Sequence, residues 1–238
     1  MSLRCVYTDL DGTLLGPGAS LFRDGEGGFS LLAARALEAC HRAGVEVVIK
    51  SGRRRAQVME DARLLGQSAY IFELGAGVVL EGEVTWLTDR RHGDIAATGA
   101  PERLMAEHDL EPHSPWHTGR EVSHLFRGSV DLAAVNAELE DLRLVDNGGI
   151  EDGRRVLHLV PAEISKANAV AAHMRARGYA REECIAVGDS LEDAEVATAV
   201  REFFMVANGD GAAEGVTVTE ASYGDGFYEA VVGSLMAR

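Results

Sequence analysis

The sequence predicts an α/β fold, a parallel sheet with helices on both faces, interrupted by an inserted α+β domain. Three observations predict it. Strand-sized apolar runs alternate with helical periodicity at the start of the chain, the rhythm breaks near Gly75, and it resumes after Pro161. The expected core is therefore 1–75 with 161–238, and the expected insert is 76–160.

In order, Leu3 to Thr8 reads as a strand. Ser30 is placed to cap a helix in which Ala33, Ala36, Leu37 and Cys40 share one face before Gly44 ends it. Val45 to Ile49 is a second strand, Arg53 to Leu65 a basic helix, and Tyr70 to Glu73 a third strand. A glycine-rich loop spans Gly16 to Gly28. In the insert, short alternating segments flank Gly82 as a hairpin, and Pro101, Pro112 and Pro115 mark irregular chain. Glu121 to Phe126 is expected to be a strand, Asp131 to Leu142 an amphipathic helix and Val156 to Val160 a strand. The core then returns with a helix from Lys166 to Arg177, a strand at Cys184 to Val187, a helix from Leu191 and a strand at Phe203 to Ala207.

Composition narrows the function. With 38 acidic against 23 basic side chains among 238 residues, the formal charge is −15, unsuited to nucleic acid or an anionic membrane surface. Apolar runs fall far short of the roughly 20 residues of a membrane span. No basic segment followed by an apolar one precedes Asp9, so the expected location is cytoplasmic. Cys5, Cys40 and Cys184 are too scattered to suggest a disulfide framework or a zinc cluster and read as buried thiols. The basic residues comprise 21 Arg and two Lys, Lys50 and Lys166.

The polar residues gather where the strands end. The first strand runs into Asp9-Leu10-Asp11-Gly12-Thr13, the second into Ser51-Gly52-Arg53, and the Cys184 strand into Gly188-Asp189-Ser190 with Asp193 beyond. Open parallel sheets bind ligands at the carboxyl ends of their strands, so these segments converge. Any one Asp after a strand is adequately explained as a cap or turn residue. Four crowded carboxylates are not, because like charges this close require a cation, and an all-oxygen site suits Mg²⁺. Lys166 follows the N-cap Ser165 and sits at the helix end unfavourable to a cation, so an anion is expected beside it. Lys50 has no such argument and reads as a solvated charge.

Asp9-Leu-Asp-Gly-Thr-Leu-Leu15, Ser51-Gly52-Arg53, Lys166 and Gly188-Asp-Ser-Leu-Glu-Asp193 resemble, in order, the four motifs of the haloacid dehalogenase superfamily. The resemblance implies a Rossmann-like core and, from the position and texture of the insert, the type IIB cap of sugar-phosphate phosphatases, near the sucrose-phosphatase and mannosyl-3-phosphoglycerate phosphatase relatives. It implies a phosphomonoesterase acting on a small phosphorylated sugar or sugar acid. Asp9 would attack phosphorus and Asp11 would protonate the leaving alcohol and then activate water. Ser51 would bond the transferring group and Lys166 neutralise its charge. Asp9, the main-chain carbonyl of Asp11, Asp189 and Asp193 would serve Mg²⁺. The alternatives are a phosphohexomutase of the phosphomannomutase kind and a phospho-acceptor signalling module. Two departures stand out: Glu192 replaces a common Asn, and Glu73-Leu74-Gly75-Ala76 lacks the Asn often found before Gly.

For the substrate, Gly52 and Arg53 from the core and Arg120, His124 and Arg127 from the insert are the candidates. An Arg there could bind a second anionic group such as a carboxylate. Taken singly, each cap residue reads rather as a solvated or packing side chain.

Overall fold

The computed structural model describes residues 2–149 and 153–237. The chain opens with β1 (Cys5–Thr8), α1 (Leu32–Ala43), β2 (Glu46–Lys50), α2 (Arg55–Leu64) and β3 (Ala69–Phe72). A hairpin of β4 (Gly77–Leu80) and β5 (Glu83–Trp86) leads to α3 (His92–Ala97), α4 (Ala100–Glu107), β6 (Leu110–Pro112), β7 (His124–Gly128), α5 (Leu132–Ala137), β8 (Leu142–Gly149) and β9 (Arg155–Pro161). The chain closes with α6 (Lys166–Arg177), β10 (Cys184–Gly188), α7 (Leu191–Ala194), β11 (Glu202–Met205), β12 (Val216–Val218) and α8 (Tyr223–Met236).

Two sheets result. The larger has the order β12-β11-β10-β1-β2-β3-β4-β5, parallel from β12 to β3 and antiparallel beyond. The smaller is antiparallel, β6-β7-β9-β8. Strand alternation sends Val6, Val47, Ile49 and Val187 to the face covered by α1 and α8, where Phe227 is fully buried. Cys5, Tyr7, Val48, Ile71 and Ala186 point to the face covered by α6. Burying one such large apolar side chain contributes about 1.5–3 kcal/mol, so both helical layers are held by the same short strands. The smaller sheet has its own core, in which Leu157, Leu159 and Val160 pack against Ile95, Leu104 and Val135. No helix among the described residues is long and apolar enough to cross a membrane.

Several elements differ from expectation for identifiable reasons. The Gly82 hairpin belongs to the larger sheet, β4 pairing along β3, so the chain passes into the second layer after Trp86 and not at residue 76. The helix expected over 131–142 stops at Ala137. Its start is capped by the Asp131 carboxylate, but at its end the Asn136 amide pairs with both backbone groups of Leu144, tying the helix to a strand that takes Leu142 and Leu144 for itself. The strand expected from Glu121 begins at His124, because the Glu73 carboxylate claims the backbone N–H groups of Glu121, Val122 and Ser123. Helices α3 and α4, among the prolines, carry Pro101 in the first turn of α4, a position that needs no N–H.

Candidate active site

The carboxyl ends of β10, β1 and β2 bring Asp189, Asp9 and Ser51 side by side, and α6 points its first residue at them. Gly12 makes the crossing from β1 possible. Its φ is +82°, and a Cβ there would lie 2.2 Å from Asp189 Oδ2. Only glycine allows the backbone that close to the carboxylate. Oxygens of Asp9, Asp189 and Asp193 all lie within 4.8 Å of one another.

Two buried ammonium groups answer them. Lys166, capped into α6 by the Ser165 hydroxyl, donates to Asp9 Oδ1 at 3.0 Å and to Asp193 Oδ1 at 2.8 Å, and its Nζ stands 3.0 Å from Glu192 Oε2. Lys50 is no solvated charge. It is completely buried and donates to the same Asp193 Oδ1. Asp193 Oδ2 accepts from the Ser190 hydroxyl at 2.8 Å, so its oxygens are committed to the two lysines and a serine. Strand parity carried the missed signal: Lys50 lies two residues after Val48 and so faces the α6 side, where solvent is absent.

Burial, with Asp193 and Asp189 adding to it, pushes Asp9 well above the ordinary carboxylate range against the pull of Lys166. Burial and the neighbouring Asp193 push Asp189 up to about 7, although Lys166 and the Thr13 hydroxyl, 3.1 Å from Oδ1, act the other way. Burial works to raise Asp193 too, but Lys166 and Lys50 together outweigh it and hold that carboxyl low. Four carboxylates, the buried Asp9, Glu192 and Asp193 and the half-buried Asp189, thus face two lysines. The excess of two negative charges is what one divalent cation neutralises, and the oxygen-only donor set fits a hard ion such as Mg²⁺.

Asp11 is separate from this cluster. Its side chain is 52% exposed and gripped by Arg53, Nε to Oδ2 at 2.7 Å and Nη2 to Oδ1 at 2.5 Å. Arg53 also donates to Asp61 at 2.8 Å, so two carboxylates neutralise it. Its backbone N–H donates to Ser51 Oγ, which is buried beside it. Arg54 and Arg55 complete the basic run as ties to the cap, to the Thr118 carbonyl and the Glu121 carboxylate.

Beside Gly52 lies a cavity of about 330 Å³ whose wall includes Asp11, Gly52, Arg53, Trp116, Arg120 and His158. The cap presses directly on Gly52, where a Cβ would come within 2.8 Å of Asn147 Nδ2 and 3.1 Å of the His158 ring. Arg120 is buried and donates to the carbonyls of Gly52 (3.0 Å) and Trp116 (3.2 Å) and to Ser123 Oγ (2.8 Å). Burial pulls it down to about 10, against the attraction of Glu73. Among the described residues it has no carboxylate within 4.0 Å. The other two cap candidates do not reach the cavity. His124 stacks on His92, ring centroids 3.7 Å apart, and donates to its carbonyl, while Arg127 pairs with Glu111 at 2.7 Å. Glu73, absent from the sequence-based candidates, is the buried latch that fixes the segment carrying Arg120: it accepts three backbone N–H groups and the Ser123 hydroxyl.

The profile of the haloacid dehalogenase-like hydrolases matches residues 126–225. A phosphoglycolate phosphatase of Natronomonas pharaonis is 30% identical over 236 residues, covering 95% of each chain. Among solved structures, a Thermoplasma acidophilum protein superposes with a TM-score of 0.74 at 19% identity, covering 99% of this chain and 100% of its own. The Synechocystis sucrose-phosphatase, solved with sucrose and phosphate, gives 0.69 at 13% identity over 98% of both chains. A two-layered α/β hydrolase with clustered aspartates is thus the class that fold and site define. The chain belongs to the haloacid dehalogenase-like hydrolases, and it is a hydrolase of phosphoric monoesters.

Proposed function

We propose that this enzyme is a Mg²⁺-dependent phosphatase of a small phosphorylated carboxylic acid, of the phosphoglycolate class, working through an aspartyl-phosphate on Asp9. The observation that carries the substrate class is Arg120: a buried guanidinium without a carboxylate within 4.0 Å among the described residues, on the wall of a cavity of about 330 Å³, suits an anion brought by the substrate. The names of the relatives agree, and they move the reading from sugar phosphates and mannosyl-3-phosphoglycerate toward phosphoglycolate.

In this reading an Asp9 oxygen attacks phosphorus while the ester P–O bond breaks, and Asp11 gives its proton to the leaving alkoxide. Asp11 then takes a proton from water, whose oxygen attacks the aspartyl-phosphate and releases Asp9 and inorganic phosphate. Arg53 holds both carboxylate oxygens of Asp11, so Asp11 must leave that pair to meet the leaving oxygen. Lys166 and the Ser51 hydroxyl bind the transferring group. When bound, Mg²⁺ neutralises phosphoryl charge, held by Asp9, Asp189 and the main-chain carbonyl of Asp11. Asp193, its oxygens already committed, serves by fixing the lysines.

The test is phosphate release from phosphoglycolate, phosphoglycerates, sugar phosphates and an aryl phosphate, with Mg²⁺ and with chelator. Phosphoglycolate should be preferred, chelator should stop turnover, and Asp9→Asn should abolish release from every substrate. Retained activity in that variant would remove Asp9 as nucleophile, and a preference for hexose phosphates would remove the substrate class.

A further inference from the structure

The amino ends of the same strands carry a second polar cluster that the reaction does not use. Cys5 opens β1 and Glu46 opens β2, and the two are register partners. Cys184 opens β10 as the partner of Cys5 on its other side. These side chains share the face covered by α6, which lowers His173 onto them. One ligand atom each from Cys5, Glu46 and His173 lies within 4.8 Å of the others. Cys5 is fully buried and His173 is 1% exposed.

We propose that Cys5, Glu46 and His173 bind a zinc-class transition-metal ion that clamps α6 to the sheet. The imidazole is the first argument. Its Nδ1 is 2.8 Å from the Tyr7 hydroxyl, but its Nε2, buried within the cluster, has no hydrogen-bond partner among the described residues. The atom it faces, Glu46 Oε2, is 3.7 Å away, too far for a hydrogen bond. Two ligands of one tetrahedral ion with bonds of about 2.0 Å stand about 3.3 Å apart, so a small closure would seat the ion between them. Left empty, the site leaves a buried ring nitrogen unsatisfied, at a cost an ion removes.

The groups behind the ligands are arranged as metal sites require. The Tyr7 hydroxyl, on the same strand face as Cys5, bonds His173 Nδ1 and fixes the ring. The Glu46 carboxylate is fixed with Oε1 on Arg177, at 3.2 and 2.8 Å, and Oε2 on the Tyr179 hydroxyl at 2.9 Å. The fourth position falls to water or to Cys184, the buried register partner of Cys5. Binding displaces the Cys5 thiol proton to solvent and forms a sulfur–metal bond; thiolate and carboxylate together balance a divalent charge. Thiolate and imidazole select a softer ion than the oxygen-only cluster at the other end, so the chain would hold two chemically distinct metals.

The probe is Co²⁺, added to chelator-stripped full-length protein in excess Mg²⁺, which fills the oxygen site. A thiolate-to-cobalt charge-transfer band saturating at one ion per chain, bleached by Zn²⁺, and a raised unfolding midpoint are expected. The band should survive Asp9→Asn, vanish in Cys5→Ser and need at least tenfold more Co²⁺ in His173→Gln. Circular dichroism checks that each variant is folded, and if Cys5→Ser is not, His173→Gln decides. Absence of the band in wild type, or a band unchanged in a folded Cys5→Ser or His173→Gln variant, overturns the proposal.

Discussion

Strands β10, β1 and β2 carry polar clusters at both ends, and the two are built on opposite terms. At the carboxyl ends negative charge exceeds positive, and a buried arginine faces an adjacent cavity with no carboxylate within 4.0 Å among the described residues. At the amino ends Glu46 is held by Arg177 and Tyr179, and its carboxylate, a thiol and an imidazole lie within 4.8 Å of one another. Helix α6 joins them, with Lys166 at one end and His173 two turns along. One end is left electrically incomplete so that an ion and an anionic substrate complete it. The other is complete but for one ring nitrogen.

The sharpest way to break this contrast is Lys50→Met. If the carboxyl-end charges form one balanced unit, removing Lys50 leaves Asp193 buried with Lys166 alone, and losing one partner of a buried pair costs about 3–5 kcal/mol. Urea unfolding should show that loss, while kcat falls only about tenfold, because Lys166 still contacts Asp9. An unchanged midpoint would mean that Lys50 is no part of the unit.

The contrast also explains what the sequence disclosed. Asp9, Asp189 and Asp193 each adjoin an apolar strand, so spacing predicts their meeting, whereas Asp11, two residues after Asp9, turns away to Arg53. Lys50 stood in view beside Ser51, but a single charge closing a strand looks the same whether it faces water or a helix. The amino-end cluster takes one ordinary residue from each of several distant segments. Cys5 and Cys184 become neighbours only through the pairing of β1 with β10, which no local pattern encodes. In the cap, the leucines at 132, 139 and 142 fit a helical period by coincidence, since Asn136 diverts the chain into β8. Arg120 and His124 flank the same segment, yet only the first reaches the cavity, because Glu73 fixes where the strand begins.

Arg120→Met tests the incomplete charge from the substrate side. KM for phosphoglycolate should rise about 10- to 150-fold, in line with about 1.5–3 kcal/mol for a hydrogen bond to a charged group. KM for an aryl phosphate without a carboxylate should change far less. Equal losses on both substrates would show that Arg120 only supports the cap, through the carbonyls it already holds.

The smallest expected effect separates the two ends by their histidines. His173 is lowered by burial, but Glu46 pulls it back up. His158, beside Gly52, is lowered well below its ordinary value by burial first and then by Arg120, Lys166 and His113, with no carboxylate among the described residues opposing them. Its imidazole stays neutral in the folded protein while the unfolded chain protonates near pH 6.5, so the unfolded state binds more protons as the solution is acidified. Stability therefore falls as pH drops below about 6.5, by up to about 1.4 kcal/mol per pH unit from this residue. Asp189, raised to about 7, works with the opposite sign: its protonated form favours the folded state below that pH. The measurement is accordingly the difference between wild type and His158→Asn in urea unfolding at pH 7 and pH 5.5, in which the Asp189 contribution cancels. The gap between them should shift toward the variant by about 1 kcal/mol on acidification. A constant gap would mean that His158 titrates normally, and that the wall of the cavity is wetter and less positive than its neighbours make it.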